Sequence, residues 1–504
     1  MKRGGLQMEN FFAYMLVLLL PILLLLYRRI GDRRYKLPPG PKGWPIFGSI
    51  FSISPEMSHV DYTRLSRDYG DVTCFSMAGA NVVMLNSGQA IREALVNEET
   101  RDAFAGRPDS FYVRYLDSGP STAFMDFGDI WRLQRKFFVR TLKIFDGGQH
   151  AIEKTIHEEL SVAVKMINDT REQPFHIDSI IVPSLANILL ILIAGKRFDF
   201  NDPAMKSVLE FDDIDSRILA GQIINILTWF PFLRHLPFGY GKMYRQHRQA
   251  QIKCIHYFFD LPKKTFDPSL TRGFIDELFR LQSDNPWLGD ANIKGMIGET
   301  IAAGLGTTRG TLLSFFLIIL HKPHVMKKIQ EEIDTVIGRD RSPNLSDRGK
   351  MTYTEAATME TLRYVSVTPL GVPRTTTRDV GFQDYVMPRN TLVFANQWAA
   401  HHDEAVWGDP WEFRPERFLD ENGQLLPLDS KIRKSWVPFG TGRRICLGET
   451  FARSRIFLFI TTLLQQFDFR PCADEPLPSC DPRGFQGGII LKAPKYNIRA
   501  FLRQ

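Results

Sequence analysis

Residues 439–448, FGTGRRICLG, constrain this chain more than any other stretch. They set one cysteine, Cys446, in a frame of three glycines and two arginines, Arg443 and Arg444. The segment that follows has apolar residues at 452, 456, 459, 460, 463 and 467, a spacing that predicts a buried helix starting just after the cysteine. A free thiol with a pKa of about 8.5 ionises at neutral pH only beside positive charge or a metal, and the thiolate is the form that binds metal. Arg443 and Arg444 are expected to supply that charge. Backbone N–H groups freed by Gly440, Gly442 and Gly448 can point at sulfur, and the helix N-terminus favours an anion. Two plainer readings compete. A lone cysteine in apolar surroundings is commonly a small packed hydrophobe, and a dinucleotide loop fails because GTGRRI lacks a third glycine and no strand leads into it.

With 504 residues, 44% of them hydrophobic and 38 of them phenylalanine, the chain can bury a large core. Length alone suggests about three domains. No linker, low-complexity run or internal repeat follows residue 45, so one large, mainly α domain with small β-sheets is expected. The net charge of +7, from 63 basic and 56 acidic residues, is too mild and dispersed for a nucleic-acid partner. Five cysteines, at 74, 254, 446, 472 and 480, are odd in number and lack framework spacing, which points to a reduced, cytosol-facing chain.

Residues 10–27 carry no charge, and 18 residues of helix reach about 27 Å, enough to cross a bilayer. No small-residue cleavage site follows, so a retained anchor is expected over a signal peptide. Basic residues at 28, 29, 33, 34 and 36 outweigh Lys2 and Arg3, which puts residues 1–9 in the lumen and the body on the cytosolic side. Residues 28–45, ending LPPGPKGWP, read as a basic, proline-stiffened spacer ahead of a catalytic domain over 46–504. VTCFSM and VVMLN flank residues 78–81 as a β-hairpin. The run 185–194 reads as a core helix, and residues 218–240, with ILTWFPFLRHLPFGY broken by Pro231 and Pro237, as an aromatic-rich packed loop.

Residues 290–321 show apolar positions at 293, 296, 297, 301, 305, 312, 316 and 319, one long helix with AAGLGTTRG at its centre. Gly304 and Gly306 each cost about 1 kcal/mol relative to alanine there, so each needs a reason, either packing on a neighbour or the approach of a flat ligand. Trp131 with Arg135 and Glu360 with Arg363 have helical pair spacing, which alone says little. His401 and His402 lack a third ligand at sensible spacing and read as polar contacts, not a metal site.

Taken together these stretches resemble the cytochrome P450 family. FxxGxRxCxG is matched by Phe439, Gly442, Arg444, Cys446 and Gly448. AGx(D/E)T(T/S) corresponds to Ala303, Gly304, Leu305, Gly306, Thr307 and Thr308, ExxR to Glu360 and Arg363, PERF to the stretch holding Arg417, and WxxxR to Trp131 and Arg135. The resemblance implies the cytochrome P450 fold and haem b (iron protoporphyrin IX), with Cys446 as axial thiolate and Phe439, Gly448 and Ala303 at the cofactor. It further implies Trp131, Arg135, Arg374 and Arg444 at the haem propionates, Thr307 and Thr308 in proton delivery, and Glu360, Arg363 and Arg417 as a structural network. Local wording is similar to the animal microsomal branch with steroid and aryl-hydrocarbon hydroxylases, single-pass in the endoplasmic reticulum membrane.

The implied reaction inserts one oxygen atom of O2 into a lipophilic substrate, steroid, aromatic or fatty-acid-like. No intact GxGxxG is present, since GLGTTR has Arg309 at the third glycine, so NADPH electrons would come from a separate flavoprotein, NADPH-cytochrome P450 reductase, with cytochrome b5 a further candidate. Arg132, Lys136, Arg140, Lys431, Arg433, Lys434 and Arg443 would dock its acidic face. The chain departs from the pattern at Gly306, where the family carries an acid. Water held by Thr307 and Thr308, or Glu299 about two turns back, would then deliver protons. That departure also keeps open a haem-thiolate isomerase or dehydratase acting on a hydroperoxide without reductase. A membrane haem- or sterol-binding protein without turnover is a third class.

Overall fold

The structure, a computed structural model, describes residues 35–503 except 46, 55, 78, 117, 146–148 and 221–222. The anchor expected at 10–27 lies outside the described residues. Residues 35–45 form no helix, as their prolines dictate.

The hairpin forms as β1 (Val72–Met77) and β2 (Ala80–Leu85), antiparallel with Phe75 opposite Val82. Two later strands, β3 (Arg374–Thr375) and β4 (Leu392–Ala395), complete a sheet of order β1-β2-β4-β3. β4 runs parallel to β2 and antiparallel to β3, and the last pairing sets Arg374 opposite Val393.

Helices dominate the rest. Those that build the site are α1 (Asp129–Phe145), α2 (Asp178–Ala194), α3 (Pro203–Ala220), α4 (Gly239–Ile255), α5 (Asp290–His321), α6 (Thr352–Val365) and α7 (Glu449–Gln466). α5 is long and apolar enough to cross a membrane, yet 72% of its apolar window is buried inside the protein, so it is the core axis. Its neighbours come very close. A Cβ on Gly295 would sit 2.8 Å from the Gly119 backbone, and one on Gly304 would sit 2.9 Å from Leu189 of α2. Gly304 therefore answers to helix packing and not to a flat ligand.

Residues 218–240 are more ordered than a packed loop. After α3 come a helix, Ile223–Trp229, and a 3-10 turn, Pro231–His235. Pro231 opens that turn, where a missing N–H costs nothing. Phe230, Phe232 and Phe238 remain exposed.

One buried ion cluster fastens the C-terminal third. Glu360 of α6 accepts from Arg363 at 2.7 and 2.8 Å and from Arg417 at 3.2 Å, all three side chains being almost fully enclosed. Arg363 also donates to the carbonyls of His401 (2.7 Å) and Pro410 (2.9 Å), and Arg417 to those of Trp407, Asp409 and Glu412. α6 stops at Ser366, in the left-handed region at φ +46°. His401 then bridges Ser366 Oγ (2.8 Å) and the Val437 N–H (3.0 Å). A neutral ring with its proton on Nδ1 satisfies both contacts. Burial, and then the Arg363 charge, push its pKa down to about 3 and keep it neutral.

Removing the shared carboxylate leaves two guanidiniums buried without an anion. Glu360→Ala should lower the unfolding free energy in denaturant by about 3–5 kcal/mol. Replacing Glu360, Arg363 and Arg417 together with apolar residues of similar volume should cost much less than that single change.

Candidate active site

The cysteine loop is shaped by backbone that only glycine adopts readily. Gly440 (φ +70°) and Gly442 (φ +73°) reverse the chain, a 3-10 turn spans Gly442–Arg444, and the Cys446 N–H closes the loop on the Phe439 carbonyl at 3.0 Å. Successive residues of such a turn point about 120° apart, so the two arginines part company. Arg443 is exposed and pairs with Asp102 at 2.7 Å. Arg444 is buried and donates to the carbonyls of Ala105 (2.9 Å), Thr122 (3.1 Å) and Met125 (2.8 Å). The expectation that these two supply charge to the sulfur is thus corrected. Arg135 does so instead, reaching from α1 to the Ile445 carbonyl at 2.7 Å. Cys446 keeps accessible surface although protein encloses its sulfur, the combination expected of a thiol that opens on interior space. Burial raises its pKa, the Gly448 N–H opposes that rise, Glu449 adds to it, and Arg135 lowers it.

Beside the loop lies an edge rich in arginine. Trp131 is buried and its indole N–H donates to the Thr122 carbonyl at 3.0 Å, with the Arg444 guanidinium 4.2 Å and that of Arg135 5.5 Å from the ring centre. β3 delivers Arg374, which reaches the Thr441 carbonyl at 3.4 Å. Arg107 joins them, donating to the carbonyls of Pro373 (2.8 Å) and Val372 (3.3 Å). Burial and then mutual repulsion pull Arg374 down to about 10 and Arg444 to about 9, and lower Arg107 well below its ordinary value. Glu299 and Asp126 are the carboxylates facing this group, accepting the N–H of Thr122 (2.7 Å) and of Arg107 (3.0 Å). Four guanidiniums against two carboxylates leave positive charge in a poorly solvated place, the environment that a dianionic group would neutralise. Glu299 belongs to this edge and not to the threonine turn. Arg107 has no periodicity or motif of its own to reveal it from sequence.

On α5, Ala303 is exposed and Thr307 half-buried while Ile301, Leu305, Gly306 and Thr308 are buried, so one narrow face is left bare inside the protein. The i, i+4 spacing stacks Ala303 and Thr307, and the Thr307 hydroxyl donates to the Ala303 carbonyl at 2.9 Å. Thr308 lies a further 100° round the helix and is not brought to that face. Its Oγ1 accepts from Arg455 of α7 at 2.9 Å. The Arg455 guanidinium also donates to the Gly304 carbonyl at 3.0 Å and lies 4.2 Å from the Phe451 ring, while its Nε and second amino group have no partner among the described residues. Sequence did carry a signal for it, an arginine at 455 on the apolar face that 452 and 459 define.

A thiol opening inward, a bare strip of small residues and an arginine edge suit a flat apolar ring that bears two carboxylates and a central metal. The residues present therefore fit haem, and fold and site define a haem-thiolate protein. The cytochrome P450 family model matches residues 38–500. The chain is similar to cytochrome P450 2B4 of Oryctolagus cuniculus, at 34% identity over 98% of this chain and 100% of that one. It is also similar to cytochrome P450 1A1 of Cavia porcellus (32%, 88% and 88%) and cytochrome P450 2D4 of Rattus norvegicus (32%, 94% and 95%). The chain belongs to the cytochrome P450 family, a monooxygenase whose cofactor is haem b.

The two loop glycines should respond differently to a methyl group. A Cβ on Gly442 would land on the Leu95 carbonyl, whereas one on Gly440 meets nothing within 4 Å. Gly442→Ala should prevent accumulation of haem-containing protein. Gly440→Ala should cost only the left-handed strain, about 1–2 kcal/mol, in thermal unfolding.

Proposed function

We propose that this chain is a membrane-anchored hydroxylase that inserts one oxygen atom of O2 into a lipophilic substrate, steroid, aromatic or fatty-acid-like. Electrons come from NADPH through NADPH-cytochrome P450 reductase, with cytochrome b5 as a second donor. The observation that carries this reading is the Cys446 side chain, open to interior space within a glycine-framed loop. Haem, when bound, would supply the iron at which O2 is activated, and Cys446 the thiolate donation that favours O–O cleavage.

Each residue then has a task. Cys446 would hold the haem iron through its sulfur, with the Gly448 N–H aimed at that sulfur and the Phe439 carbonyl closing its turn. Arg135, Arg374 and Arg444, joined by Arg107, would hold the two propionates by charge-assisted hydrogen bonds, while Trp131, whose one N–H is spent on the Thr122 carbonyl, packs against the Arg444 and Arg135 guanidiniums that face them. Ala303 lets the flat ring approach α5. Thr307 holds and passes a proton at Oγ1, and Thr308, tied to Arg455, fixes the same turn. Glu360, Arg363 and Arg417 keep residues 401–417 in place under the loop.

Residues 10–27 anchor the chain in the endoplasmic reticulum membrane, 28–45 form the spacer, and 46–504 form the cytosolic catalytic domain. Exposed Phe230, Phe232 and Phe238 support a lipid-side entrance. Lys136, Arg140, Lys431 and Lys434 carry exposed positive charge suited to an acidic reductase face. Arg132 and Arg443 are already paired, with Asp129 and Asp102.

Cys446→Ser should abolish the red-shifted Soret band of the reduced carbon monoxide complex. Survival of that band would overturn the assignment. Product formation from a panel of steroids, polycyclic aromatics and fatty acids should require both NADPH and reductase. Conversion of a hydroperoxide without NADPH would indicate an isomerase instead, and binding without conversion a carrier.

A further inference from the structure

Resting on the haem-thiolate reading above, we infer that Asp212 of α3 is the proton-positioning acid for Thr307, supplied from across a helix interface because α5 has glycine at 306. A Cβ built on Gly306 would lie 3.6 Å from Asp212 Oδ1 and 3.9 Å from Ser216 Oγ. A carboxyl group carried at 306 would claim the ground where the Asp212 carboxyl already stands. Gly306 thus opens the α5 backbone to a carboxyl and a hydroxyl on one face of α3, one residue before Thr307.

Asp212 is buried and held at a defined spot. Arg309 of α5 donates to it at 3.1 Å and to Asp178 of α2 at 2.7 Å. Lys492 faces it from the turn closed by the Gln486–Lys492 bridge, and the same turn sets Ile490 3.4 Å from the Gly306 Cβ position. On its own helix stand Asp213, Asp215 and Arg217, with Asp215 bonded to His247 of α4 at 2.8 Å. Burial outweighs the Arg309 and Lys492 charges and pushes the Asp212 pKa up to about 6, with Asp215 adding to the rise. Such a carboxyl gives up and regains a proton near neutral pH, as a relay requires. It releases one proton toward Thr307 through solvent water and takes one back from bulk solvent on the partly exposed Asp178–Arg309–Lys492 side. No electron moves in this step.

The test uses the full-length haem-loaded chain. Infrared difference spectra should show a protonated-carboxyl C=O band that titrates near pH 6 and disappears in Asp212→Asn. With reductase and NADPH alone, Asp212→Asn should consume NADPH about tenfold more slowly while keeping the normal red-shifted carbon monoxide band. In Asp212→Ala, which slows NADPH consumption likewise and clears the ground beside Gly306, adding Gly306→Asp should restore the rate, which a packing defect at 212 would not allow. If Asp212→Asn fails to bind haem, Asp212→Glu must shift the break near pH 6 in the wild-type pH–rate profile, where the rate falls as pH rises. An unchanged band, an unchanged rate, a rate that Gly306→Asp does not restore, or an unmoved break would each overturn the inference. Loss of the carbon monoxide band in the wild-type protein would instead strike the reading of Cys446.

Discussion

The site depends first on a single buried carboxylate. Glu360, fully enclosed, accepts from two guanidiniums and from the Arg414 N–H, and those guanidiniums spend their remaining donors on five carbonyls between His401 and Glu412. Residues 401–417 have little regular structure to hold their backbone, so most of their carbonyls need partners from elsewhere. Arg363 and Arg417 supply them. His401 then carries the restraint to the Val437 N–H, nine residues before Cys446. Where the sulfur points is settled by charge burial well away from it.

Electrostatics at the loop follow distance in space and not distance along the chain. The two arginines next to Cys446 are turned away, one to solvent and one to loop carbonyls, while Arg135 arrives from a helix more than 300 residues earlier. A cluster of buried guanidiniums with too few carboxylates is costly for a protein alone. Two buried and two half-buried guanidiniums side by side make sense where an anionic cofactor completes the charge balance.

α5 uses its small residues in three directions. Gly304 lets α2 approach, Gly306 makes room for Asp212 and Ser216, and Ala303 with Thr307 forms the bare strip. Steps of 100° separate these roles within five consecutive residues, so one helix can pack tightly on two sides and stay open on a third.

The hairpin, the ends of α5 and the helix after Cys446 were legible in the sequence, because periodicity and turn chemistry are local properties that each segment carries with it. So was the cysteine loop, whose glycines mark a backbone that other residues resist. Only the tertiary structure decided which cation meets the sulfur, that Thr308 belongs to Arg455 and Glu299 to the arginine edge, and that Arg107 and Asp212 stand at the site. Those pairings depend on desolvation and on charges brought within a few ångströms of one another, and no spacing along a chain encodes that distance until the helices have packed.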